Sequence, residues 1–326
     1  MSNNSFENIN YSLRPAKAVE RKMISFALQK LNNFSDLSEY QYVGFGSTFF
    51  QDHIIFHKDL GISKLISIEK SGKKERFNFN KPYHCVEIQF GQATDILPKI
   101  NWKDKTILWL DYDKIMKSTY LSDVATFFSS AISGSVFLLS LNVNPDSYGE
   151  NNKKRKLKIE ETLGEEKIPL GSKNIDFANN NLYKILKKII DNEIYSTLSK
   201  RNGGLKKEDK FKFRPLFNFK YADGARMLTV GGILVKTNDD LIFSKANFQE
   251  LSFIKTGADP FEIEIPSLTH KEIKFLNSQL PAGIDVNGSY VDSIVQSNDP
   301  LIPKNDIVNY SKIYKYFPVF TESLNF

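Results

Sequence analysis

The sequence predicts an α/β protein built on a doubly wound, mostly parallel sheet, and three observations carry that expectation. Short apolar runs alternate with helix-patterned stretches through the first half of the chain, the pattern of parallel strands covered on both faces. A strand runs into Gly44-Phe45-Gly46-Ser47, and after a helix a second strand, Leu65-Ile66-Ser67-Ile68, ends in Glu69. An acid at a strand tip about 20 residues beyond a glycine turn is how a Rossmann-like domain holds ribose hydroxyls. Finally, Arg226 to Thr237 reads as two apolar strands around Gly231-Gly232, an antiparallel hairpin closing the sheet.

Taken in order, residues 13–31 place Val19, Met23, Phe26, Ala27 and Leu28 at helical spacing, with Ser12 as N-cap and Pro15 in the first turn. Strands are expected at 41–44, 64–68, 84–89, 106–110 and 135–141, with helices at 48–60, 71–79, 93–100 and 119–132 between them. The alternation stops at Asn142. A polar stretch follows to about Tyr221, holding a Lys-Lys-Arg-Lys-Leu-Lys run at 153–158, a helix over 181–198 and a basic Gly-Gly loop at 202–214. It reads as an insertion. Beyond the hairpin, Thr269 and Glu272 have the spacing of a capping box opening a helix over 270–280. Tyr310, Ile313, Tyr314 and Phe317 share one face of a last helix. The expected division is an N-terminal helical segment (1–40), a cofactor-binding core (41–142), the basic insertion (143–221), the closing hairpin (222–238) and a small C-terminal lobe (239–326).

At 326 residues, 41% hydrophobic and 25% charged, the chain can bury a sizeable core. The single Cys85 forms no intramolecular disulfide, the start Met1 to Asn10 is polar, and no stretch approaches the roughly 20 apolar residues of a membrane helix. A cytoplasmic location is the expectation. The net charge of +6 is uneven, since residues 150–220 hold 18 basic and ten acidic side chains and the remainder is slightly acidic. Such concentration is the footprint of a polyanion partner, or else a solvated surface. The candidate nucleic-acid contacts are Lys153, Lys154, Arg155, Lys156, Lys206, Lys207, Lys212 and Arg214. Phe211, Phe213, Phe217 and Phe219 either stack on unpaired bases or line the buried side of a strand.

Gly44, Phe45, Gly46 and Ser47 allow close backbone approach to a ligand, although a tight turn wants glycine too. A dinucleotide fold needs a small residue where Phe49 stands, to seat the pyrophosphate against the helix. The ligand expected is therefore an adenosine compound lacking one, such as S-adenosylmethionine, with Glu69 on its ribose. Gln92, Ala93 and Asp95 follow the third strand and would border the adenine; Asp95 also suits a helix N-terminus. Asp111, Tyr112 and Asp113 close the fourth strand, beyond whose carboxyl end ligands sit. One carboxylate would act as general base or position an acceptor, and Tyr112 would supply a wall or a hydrogen bond. No metal is expected: His53 and His57 lack the intervening Glu of a zinc helix, and Asp111 and Asp113 have no assignable third ligand. An Asp/Asn-Pro-Pro-Tyr motif is absent, which disfavours exocyclic amino methylation of DNA by that route.

In Val43-Gly44-Phe45-Gly46-Ser47, Ile68-Glu69, Gly91-Gln92-Ala93-Thr94-Asp95 and Leu110-Asp111-Tyr112-Asp113 the chain resembles class I S-adenosylmethionine-dependent methyltransferases, over 13–237. More narrowly, Leu13-Arg14-Pro15-Ala16-Lys17 through Glu20-Arg21-Lys22, with Pro266-Ser267-Leu268-Thr269 and Tyr314-Lys315-Tyr316-Phe317-Pro318, is similar to bacterial proteins classed as O-methyltransferases. Some relatives sit in phage-defence gene clusters. The resemblance implies methyl transfer from S-adenosylmethionine to an oxygen or nitrogen of an unnamed acceptor. Because the loop is Gly-Phe-Gly and not Gly-x-Gly-x-Gly, a catalytically silent S-adenosylmethionine- or nucleotide-binding subunit of a defence complex stays open. A nicotinamide oxidoreductase also stays open, disfavoured by Phe49.

Overall fold

The computed structural model describes residues 14–70, 72–281 and 301–318. Helix α1 (Pro15–Leu28) starts with proline at its first position, where a missing N–H costs nothing. The expected Ser12 cap lies outside the described residues, and Arg14 occupies the N-cap. Five parallel strands follow: β1 (Gln41–Gly44), β2 (Lys64–Glu69), β3 (Val86–Phe90), β4 (Thr106–Asp111) and β5 (Val136–Asn142). Between them run α2 (Gln51–Leu60), α3 (Lys74–Phe79), α4 (Ala93–Ile96) and α5 (Ser118–Ser130). Helix α2 begins three residues later than its pattern suggests, because Ser47 and Phe50 take left-handed backbone angles that interrupt a helix.

The second half contributes α6 (Asn152–Leu163), α7 (Leu182–Arg201), β6 (Phe211–Asp223), β7 (Ala225–Lys236), α8 (Asp240–Ala246), β8 (Phe261–Ile263), α9 (His270–Gln279) and α10 (Lys304–Ile313). The eight strands form one sheet in the order β3-β2-β1-β4-β5-β7-β6-β8, with β7 antiparallel to both β5 and β6. This is the doubly wound, mostly parallel sheet closed by an antiparallel pair. Because β1 lies between β2 and β4, the winding reverses there, and the crevice beyond their carboxyl ends is where such sheets take ligands.

Strand alternation sends side chains to two separate cores. Leu108, Leu110, Phe137 and Leu139 face the helices α5 and α7, whereas Ile107, Trp109, Val136 and Leu138 face α1 and α2. Each fully buried aliphatic side chain stabilises the fold by about 1.5–3 kcal/mol. The C-terminal lobe has its own small cluster of Leu276, Ile302, Ile307 and Tyr310, and Thr269 and Glu272 form the expected capping box.

Two expectations are corrected. The hairpin turns at Gly224, where φ is +95°, and Gly231-Gly232 lie inside the continuous strand β7. A Cβ on Gly231 would stand 2.3 Å from the Phe137 carbonyl oxygen, and one on Gly232 2.2 Å from that of Arg214. Close strand approach beside the irregularity at Pro215 and Phe217, and not a turn, requires those glycines. Likewise the segment expected as an insertion ends in β6 and contains α7, which packs on α5 through Leu186, Ile189 and Ile190. It covers the sheet.

Candidate functional site

At the tip of β1 the glycines are required from beneath. A Cβ on Gly44 would meet the Tyr42 hydroxyl at 2.2 Å, and one on Gly46 would meet Ser67 Oγ at 2.5 Å and the Phe50 ring at 2.6 Å. The turn is thus pressed down onto its own sheet. At the neighbouring tip, Glu69 is 6% exposed, and its Oε1 accepts hydrogen bonds from the Gly46 N–H at 2.8 Å and Ser67 Oγ at 2.7 Å. Burial pushes its carboxyl up to about 7, even though those bonds pull the other way. Ser47 and Phe45 are half-buried on the same turn. After β3, Gln92 is exposed at the N-cap of α4, Ala93 is buried, and Asp95 is exposed in the first turn.

Alternation at the tip of β4 sends consecutive side chains opposite ways. Tyr112 lies edge-on to Phe45 with ring centroids 5.1 Å apart, and stacks on Tyr120 at 3.5 Å. Its hydroxyl donates to Asp123 Oδ2 at 2.5 Å. Burial, with help from the nearby charge of Asp95, pushes Asp123 up to about 6. Asp113, one residue further on, is exposed.

Asp111 turns instead toward α1. Its Oδ1 lies 2.9 Å from Lys17 Nζ, and that ammonium is also 2.8 Å from Glu20 Oε2 and donates to the Tyr221 hydroxyl at 3.2 Å. Burial alone would raise the Asp111 carboxyl, but Lys17, then Arg21 and Arg14, hold it below its ordinary value. Glu20, wholly buried, is pushed up by burial against the pull of Lys17. Arg21 pairs with Asp52 at 2.5 Å, and Asp223 accepts the N–H groups of Ala16 and Lys17 at 3.1 and 2.9 Å. An acid at that helix N-terminus complements its dipole. The sequence patterns do not mark Lys17, Glu20 and Asp123 as site residues; the signal available for the first two is a Lys, Glu and Arg at 17, 20 and 21, three to four residues apart on a face otherwise apolar. His53 and His57 each bond a backbone carbonyl, of Ile66 and Ile62 respectively.

Residues 9–325 match the family described as "Putative O-methyltransferase". The chain belongs to that family. No curated protein matches it. Among solved structures, Trm1 from Pyrococcus horikoshii with S-adenosyl-L-methionine matches with a TM-score of 0.42 and 11% identity, over 91% of this chain and 76% of that one. LepI in complex with SAM matches with a TM-score of 0.36 and 8% identity, over 63% of this chain and 45% of LepI, so less than half of LepI is spanned. Spermidine synthase from Thermotoga maritima matches at 0.35 and 6%, over 76% and 68%.

In this O-methyltransferase family member the expected basic contacts do not form one surface. Arg155 is buried, its Nε donating to the carbonyls of Gly149 and Pro145 at 2.8 and 3.2 Å. Lys154 pairs with Glu150, Lys156 with Glu160, and both Lys212 and Arg214 with Asp240. Lys153, Lys206 and Lys207 are exposed. Helix α6 follows the carboxyl end of β5, whereas Lys212 and Arg214 pair with the part of β7 beside the start of β5. The two groups therefore stand at opposite ends of the sheet. Phe211, Phe217 and Phe219 are buried and Phe213 packs against the core, so alternation along β6, not base stacking, explains their spacing.

Proposed function

We propose that the protein transfers a methyl group from S-adenosylmethionine to an oxygen or nitrogen of its acceptor, with the donor across the tips of β1, β2 and β3 and the acceptor over β4. The observation that carries this is Glu69, a buried carboxylate poised near neutrality at the crevice and joined to the glycine turn. The residues suit the donor. Glu69 and Asp95 are acceptors for ribose hydroxyls and an exocyclic amine, while the first turn of α2 carries the buried acid Asp52, a poor seat for a pyrophosphate. The donor, when bound, supplies a methyl group on a sulfonium leaving group.

The chain's own residues then have to align the acceptor and take its proton. Gln92, Ala93 and Asp95 border the adenine. Tyr112, fixed by Tyr120 and Asp123, and Phe45 wall the site. Asp111, held ionised, orients the acceptor, and exposed Asp113 removes the proton that the acceptor loses as its new bond to carbon forms.

Incubation with donor carrying a tritiated methyl group in fractionated lysate tests the proposal, with and without phage infection and nuclease. Label should enter one size class and fade in Asp113→Asn. A role in antiphage defence predicts more label after infection. Donor binding with no labelled fraction would instead mean a silent binding subunit.

A further inference from the structure

Lys17 has no exposed surface. A lysine is almost never buried so completely unless paired, and a well-packed apolar group in place of such a pair is often as stable or more so. Stability alone thus gives little reason for an ammonium here. Its three protons face three oxygens, those of Asp111, Glu20 and Tyr221, at 2.9, 2.8 and 3.2 Å. The Trp109 ring closes a fourth side, its centroid 4.3 Å from Nζ. That ring is itself pinned, Nε1 donating to Ser140 Oγ at 2.9 Å, with Ser140 bonded to Thr229 at 2.7 Å. The ammonium is therefore fixed from every direction. Of its three oxygen partners Asp111, the last residue of β4, is the most exposed, with 16% of its side chain accessible. The other charged groups acting on Asp111 are Arg21, which pairs with Asp52, and Arg14, 3.8 Å from Asp223, while the buried Tyr42 hydroxyl feels both Asp52 and Asp111.

We propose that Lys17 is a positioning residue for methyl transfer: by clamping Oδ1 of Asp111 at the switch between β1 and β4, it holds that carboxylate in one orientation toward the O–H or N–H of the acceptor. This rests on the function proposed above. Helix α1 is then part of the reaction apparatus and not only a cover for the sheet, and the acceptor is a group that can donate a hydrogen bond to a fixed carboxylate oxygen. A freely rotating aspartate would have to be ordered in each turnover, whereas a clamped one arrives aligned.

Lys17→Met alone leaves Glu20 and Asp111 without their cation and can fail to fold, so the test pairs it as Lys17→Met/Glu20→Gln. That variant, Asp111→Asn and the combined triple variant are compared with wild type for donor affinity by calorimetry, for thermal unfolding, and for tritium transfer from labelled S-adenosylmethionine into the lysate fraction that wild type labels. A residue acting through another gives non-additive losses. The paired variant should bind donor as wild type does and transfer methyl about tenfold or more slowly, by the loss of alignment, and adding Asp111→Asn should cost no more than Asp111→Asn alone. Unchanged transfer, additive losses, or a fall in donor affinity matching the fall in rate would overturn it. Wild type that binds no donor would instead refute the proposed function itself, and this inference with it. Wild type that binds donor but labels nothing would leave Lys17 as part of a silent fold, also against the proposal.

Discussion

The Gly46 N–H donates to Oε1 of Glu69 over 2.8 Å, so the glycine turn is tied directly to the acidic strand tip. Under the proposed function, donor affinity and loop geometry depend on the same carboxylate. Its value of about 7 sets a pH window. As an acid raised above its ordinary 4.5, Glu69 favours the folded state most at low pH, and that contribution is lost as pH rises toward and through 7. Charge-assisted bonds to ribose need the ionised form, so donor binding should strengthen between pH 6 and 8. Glu69→Gln should flatten that dependence in calorimetric titrations. A slope of the opposite sign in wild type would contradict the assignment.

Gly46→Ala tests whether the turn is held down by packing. The new methyl group meets Ser67 Oγ at 2.5 Å and the Phe50 ring at 2.6 Å, and the ring is wholly buried. Overpacking of this kind costs about 1–3 kcal/mol. Combining it with Ser67→Ala should recover only part of the loss, since Phe50 remains. Denaturant unfolding measures both, and full stability in the single variant would mean that the turn is not packed as described.

Arg155→Ala should lower stability by about 1.5–3 kcal/mol, because it strips a charged donor from buried carbonyl groups. Lys153→Ala, on an exposed side chain of the same helix, should leave stability unchanged. Equal losses in the two thermal unfolding curves would show that Arg155 is not a structural tie.

Much of the sheet was legible because its signals are local. Period-two and period-3.6 patterns, a glycine turn and an acid at the next strand tip placed β1 to β5 and the cluster of Gly46, Glu69 and Asp111 at one edge. Where the sequence misled, one residue type served two purposes. Gly231-Gly232 carries the local mark of a turn, yet its requirement comes from neighbouring strands pressed against it. The Lys17 cluster was hidden for a different reason: its partners Asp111, Tyr221 and the helix-capping Asp223 lie 94 or more residues away, and no periodicity links them. Asp123 was hidden as an ordinary polar position on α5, its meaning supplied by the Tyr112 hydroxyl.

Asp123→Ala would leave that hydroxyl unpaired within a half-buried aromatic stack. The variant should lose about 1–3 kcal/mol of stability, the cost of an orphaned polar group. Removing both partners in Tyr112→Phe/Asp123→Ala should recover part of it. A double-mutant cycle read by denaturant unfolding measures the coupling, and strictly additive losses would show that the pair is not coupled.

The most direct test of the central claim is calorimetric titration of wild type and Glu69→Ala with S-adenosylmethionine, S-adenosylhomocysteine and NAD. The two methionine-derived nucleosides should bind wild type and NAD should not, and Glu69→Ala should weaken binding by at least about tenfold, the loss of one charge-assisted hydrogen bond at 1.5–3 kcal/mol. Preference for NAD, or a donor affinity indifferent to Glu69, would contradict it.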